Sequence, residues 1–100
     1  MPGSRPWIPA ELVALDARQD PGPFVRLRLD DGEILTIDRT RYCLDGPTVQ
    51  AIAETADVAG VEEGTGAFVK LRLDDDGLVR DIADIDGRHP IWIGAYRRDV

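Results

Sequence analysis

Phe24-Val25-Arg26-Leu27-Arg28-Leu29-Asp30-Asp31 returns 44 positions later as Phe68-Val69-Lys70-Leu71-Arg72-Leu73-Asp74-Asp75. Seven of the eight residues are identical, and the exception keeps the charge, Arg26 answering to Lys70. Apolar and polar residues alternate with the period of a β-strand. Val25, Leu27 and Leu29 therefore take one face, and Phe24, Arg26 and Arg28 the other. Each copy runs through a glycine, Gly32 or Gly77, into a second apolar-rich stretch. Each is also preceded by a strand-like run and a Gly/Pro-rich turn. These are Glu11–Asp16 before Asp20-Pro21-Gly22-Pro23, and Ala56–Val61 before Gly64-Thr65-Gly66. The pattern predicts a three-stranded meander used twice, over about residues 11–38 and 56–85.

Matching of faces selects the turns. A two-residue loop at Asp31-Gly32 would set Leu35 and Ile37 beside the arginines. A three-residue loop, Asp30-Asp31-Gly32, with Gly32 in the left-handed region, pairs Leu27 with Leu35 and Val25 with Ile37, and is the one expected. The second copy carries one more aspartate. Its expected loop is the four residues Asp74–Gly77, pairing Leu73 with Leu78 and Val69 with Ile82 and setting Lys70 opposite Asp81.

Between the copies, Asp45-Gly46-Pro47-Thr48 carries helix-start chemistry, and Val49, Ile52, Ala53 and Ala56 follow helical spacing. A short helix over Pro47–Thr55 is expected, with a strand from Thr48 to Ala53 as the competing reading. The tail Pro90–Tyr96 reads as a strand with Ile91, Ile93 and Ala95 on one face and Trp92 and Tyr96 on the other. The fold class is mainly β, a small antiparallel barrel or sandwich. A length of 100 residues fits a single domain with an internal duplication, preceded by a flexible arm at residues 1–6.

The composition narrows the function classes. The net charge is −7, from 12 Lys+Arg against 19 Asp+Glu, which repels phosphate backbones and anionic lipid. The apolar residues are too dispersed for a membrane span. No apolar region follows the charge near the N-terminus, so a secretory signal is not expected. Cys43 is the single cysteine, no intramolecular disulfide can form, and a cytoplasmic setting is the default.

Candidate sites are few. Phe24, Arg26 and Arg28 share a strand face, and Phe68, Lys70 and Arg72 its counterpart. Aromatic residues interleaved with cations on a sheet are what single-stranded nucleic-acid platforms use. The plainer alternative is a solvated face whose cations pair with nearby carboxylates, and the acidic flanks favour it. An anion pocket between the copies would need Arg26, Arg28 and Arg72 to converge. Asp74-Asp75-Asp76-Gly77 lacks the spacing of a calcium loop and reads as a turn. Cys43 is expected to be a small buried or half-buried residue and His89 a loop residue. Nothing in their spacing makes them a nucleophile–base pair. No catalytic or metal motif is present, so neither cofactor nor metal is expected. Trp92 and Tyr96 on a terminal edge strand offer a template for a second chain. The expectation is a non-enzymatic interaction or assembly module, acting as a homodimer or with a protein partner. Binding of single-stranded nucleic acid or an anionic ligand through the Phe/Arg faces is the alternative.

Overall fold

The first repeat folds as strand β2 (Phe24–Leu29) and returns as β3 (Ile34–Ile37) in a computed structural model that describes residues 6–18 and 22–98, with the backbone alone at 61–63 and 65. Gly32 N–H donates to the Leu29 carbonyl at 2.9 Å, and Leu29 N–H to the Glu33 carbonyl at 2.8 Å. Gly32 sits at φ +89°, which is the three-residue turn that face matching selected. Leu27 lies opposite Leu35 and Val25 opposite Ile37, as expected.

The second repeat is the end of a long strand, β4 (Val61–Leu73), which returns as β5 (Val79–Asp84). Its turn is the same one. Gly77 N–H donates to the Asp74 carbonyl (3.0 Å), Asp74 N–H to the Leu78 carbonyl (2.9 Å), and Gly77 has φ +79°. The expected four-residue loop is therefore corrected: the extra aspartate, Asp74, takes the place that Leu29 holds in the first hairpin and closes the ladder ahead of a three-residue loop. Its carboxylate also braces the turn by accepting from Asp76 N–H and Leu78 N–H. The pairing moves with it. Leu71, not Val69, faces Ile82; Arg72, not Lys70, faces Asp81; and Lys70 lies opposite Ala83. A β-bulge at Arg80 absorbs the phase, since Leu73 pairs with Val79 but Arg72 with Asp81. The shift is by two residues, so the buried face stays buried and alternation alone could not choose between the registers.

Strand β1 (Ile8–Asp16) lies between β2 and β4, and a two-residue strand β6 (Ile91–Trp92) completes the order β3-β2-β1-β4-β5-β6. All pairs are antiparallel. The sheet is thus two three-stranded meanders, β1–β2–β3 and β4–β5–β6, joined through β1 and β4 into a half-barrel. The second meander begins later than expected. Residues 57–60 lie outside any strand, and Gly64-Thr65-Gly66 does not separate two strands. Gly64 and Gly66, at φ +58° and +69°, let the backbone bulge out of β4 while Ala67 and Glu63 stay registered with Leu12 and Ala14. On β1 the matching irregularity at Val13 turns both Leu12 and Leu15 into the core.

Helix α1 (Gly46–Ala56) settles the middle segment in favour of the helical reading. Asp45 caps it by accepting from Thr48 N–H at 2.9 Å, Pro47 lies in its first turn, and Asp57 ends it in the left-handed region at φ 59°. Gly46 is required here, because a Cβ would collide with the Ala17 carbonyl oxygen. Val49, Ile52 and Ala53 pack into one core with Leu12, Leu15, Leu27, Ile37, Leu71 and Ile82. Each large aliphatic side chain buried there is worth about 1.5–3 kcal/mol over leaving it in water.

The chain's end closes the open side of the sheet. Residues 41–43 run antiparallel to 96–98: Tyr42 bridges Arg97, Arg98 N–H donates to the Arg41 carbonyl, and Cys43 N–H to that of Tyr96. To bring them there the chain must fold back. The expected strand Pro90–Tyr96 is therefore cut to Ile91–Trp92, and Ile93–Tyr96 forms a 3-10 turn with Ile93 buried. Cys43 is exposed, contrary to expectation, because it alternates between the buried Tyr42 and Leu44. The arm expected at residues 1–6 and the turn at Asp20-Pro21 lie, except for Pro6, outside the described residues. Among the described residues no helix is long and apolar enough to cross a membrane.

Candidate interaction surface

The helix and the core occupy one side of the sheet, so the side chains that alternate away from it form an outer face over which, among the described residues, no helix or second sheet packs. Both repeated stripes lie on that face. Cross-strand register places Ile34, Arg28, Glu11 and Phe68 in one row from β3 to β4. Arg72, Asp81 and Trp92 form a second row from β4 to β6.

Each expected site residue now has a place. The Arg26 guanidinium lies 5.3 Å from the centre of the Phe24 ring, at the base of the β2–β3 hairpin. Arg28 donates to Glu11 Oε1 at 2.7 Å, on an exposed part of the face. Phe68, 53% exposed, stands beside Glu11. Lys70 is half-buried between Pro9 and Ala83. Arg72 donates to Asp81 Oδ2 at 3.0 Å, and its guanidinium sits 4.2 Å from the centre of the Trp7 ring. Trp92, 60% exposed, stands opposite Asp81 on the sheet's edge. Tyr96 does not join them, for its residue belongs to the 3-10 turn that meets Cys43.

The arginines do not converge. Arg28 and Arg72 are each held by their own carboxylate, so the condition for an anion pocket between the copies is not met by these three side chains. Such ion pairs contribute little energy, about 0.2–1 kcal/mol for an exposed one, but they orient the guanidinium groups and cancel their charge. Glu11 was reachable in principle from the alternation of β1. Trp7 was not, since its contact depends on how the chain before β1 crosses the face. Ile34, 47% exposed, is a further large apolar side chain on this surface.

Elsewhere the chemistry is sparse. Cys43 lies at the closing seam and His89 in the loop before β6. The Asp16 carboxyl is held below its ordinary range by the side chain and backbone amide of Arg18. The Asp45 carboxyl is lowered in the same way by Thr48. Among the described residues no three His, Cys, Asp or Glu side chains gather as metal ligands. Comparison with protein families, with curated proteins and with solved structures returned no match to this chain.

Proposed function

We propose that this protein is a non-catalytic assembly module that acts in a cytoplasmic setting and pairs with a second copy through the outer face of its sheet. The observation that carries the reading is the row Ile34–Arg28–Glu11–Phe68, in which two large exposed apolar side chains flank an ion pair. Exposed aliphatic and aromatic side chains beside oriented charges supply both the burial and the complementarity that a protein contact uses. Light scattering across a concentration series tests it. The mass is expected to rise from the 11.0 kDa of one chain toward twice that value. A single-chain mass at every concentration overturns the reading.

Single-stranded nucleic acid is the second reading, supported by the Arg26–Phe24 stack beside the exposed Phe68. Against it stand the carboxylates that already hold Arg28 and Arg72, together with the net charge of −7. Oligonucleotide titration at low salt separates the two, because only this reading expects binding that Arg26→Glu with Lys70→Glu abolishes.

A further inference from the structure

The β2–β3 hairpin carries opposite charge at its two ends. Its tip holds Asp30, Asp31 and Glu33, all exposed. Its base holds Arg26 and Arg39 on the wall of a cleft of about 340 Å³ that Phe24, Thr36, Asp38 and Thr40 also line. Arg26 and Arg39 outnumber the one carboxylate there, Asp38, whose Oδ1 accepts from Thr40 N–H (2.9 Å) and Thr40 Oγ1 (2.5 Å). Between the two ends lie the exposed Ile34 and the Arg28–Glu11 pair. The hairpin's outer surface therefore grades from acidic through apolar to basic, over the roughly 20 Å that six strand residues span.

A half-barrel curves across its strands more than along them. Two such convex surfaces touch along a line parallel to their strands. A two-fold axis perpendicular to that line reverses one copy against the other. The acidic tip of each copy then overlies the basic base of its partner, and Ile34 meets Ile34 at the centre. A two-fold contact must be self-complementary, and a charge gradient of this kind is. The tail edge, expected from sequence to do this work, is a poorer template: β6 has two residues and the chain folds back directly after it.

From these observations we infer that the second copy docks antiparallel on the β2–β3 hairpin, its Asp30–Glu33 tip seated at the Phe24–Arg26 cleft. This inference rests on the assembly reading above and specifies its surface. A line contact of this width belongs to the weak class of interfaces, below about 1,200 Å² in total. Its electrostatic share is exposed, so it is screened by salt.

Sedimentation velocity on the full chain, with reversed-charge variants, tests it. Wild-type dimerisation is expected to weaken about tenfold or more between about 0.05 M and about 0.5 M salt, as the Debye length shrinks below the spacing of the paired charges. Asp30→Lys with Glu33→Lys reverses the tip and leaves the Asp31 carboxylate that accepts from Glu33 N–H, a bond to the backbone alone. Arg26→Glu reverses the base. Each variant alone is expected to stay monomeric, because like charges meet at both ends. An equimolar mixture is expected to form heterodimers, because both ends attract again. Circular dichroism of each variant distinguishes lost docking from lost folding, and restored association in the mixture requires both to be folded. Salt-independent dimers, or variants that still self-associate, overturn the docking surface and leave the assembly reading standing. Wild-type protein that is monomeric at every salt and concentration overturns both.

Discussion

Tyr42 holds the open side of the half-barrel with one hydrogen bond. Its hydroxyl accepts from Val79 N–H at 2.7 Å in a buried setting, beyond the reach of the two-residue β6 that would otherwise pair with β5 there. Burial raises the Tyr42 pKa above its ordinary value of 10.0. A group with a raised folded-state value contributes stability that is full below the unfolded value and is lost as pH rises through the folded one. Stability is therefore expected to decline above about pH 10. Tyr42→Phe removes the bond and leaves the Val79 amide unpaired, at a cost of about 1–3 kcal/mol in denaturant unfolding, and it flattens that alkaline decline. Asp45 gives the opposite sign. Its carboxyl is lowered, so its contribution is present above the ordinary carboxylate value and is lost as pH falls through the folded one. Asp45→Asn keeps a capping oxygen and is expected to flatten the acid limb. Asp45→Ala removes the cap at a cost of about 0.5–2 kcal/mol at neutral pH.

At the scale of elements, the turn outranks the ladder. Both repeats keep the same three-residue turn with a left-handed glycine, and the added Asp74 is accommodated by a bulge at Arg80 in the strand. Deleting Arg80 is therefore expected to be tolerated, because it removes the irregularity and leaves Val79 and Ile82 on the buried face. Ile82→Ala, by contrast, empties a fully buried place opposite Leu71 and is expected to cost about 2–5 kcal/mol in denaturant unfolding. The first hairpin was legible because Leu27–Leu35 and Val25–Ile37 pair by alternation alone. The second was not, since a slip of two residues preserves every face and only turn geometry decides it. The Gly64-Thr65-Gly66 stretch misled for a related reason. Paired glycines mark positive φ, and a bulge uses that freedom as readily as a turn does. The helix was legible from its cap chemistry, Asp45 and Pro47, which no strand requires.

For the whole molecule, the charge of −7 is an average over unlike surfaces. The outer face carries Arg26, Arg28, Lys70 and Arg72, while the hairpin tips carry Asp30, Asp31, Glu33, Asp75 and Asp76. The sequence told which residues share a strand face, so both stripes were readable. It did not tell that β1 separates them by placing Glu11 beside Arg28, or that Asp81 neutralises Arg72. Those pairings come from topology and register across distant segments. If the β2–β3 hairpin of one copy lies antiparallel on that of another, paramagnetic relaxation between copies reads that contact out residue by residue. Chains with a nitroxide at position 30 (Asp30→Cys with Cys43→Ser) are mixed with isotope-labelled chains that carry no spin label. Antiparallel docking is expected to broaden the Arg26 and Thr36 amides of the labelled copy selectively, an effect that fades as salt is added. Broadening centred on Trp92 to Tyr96, or none anywhere, would contradict it.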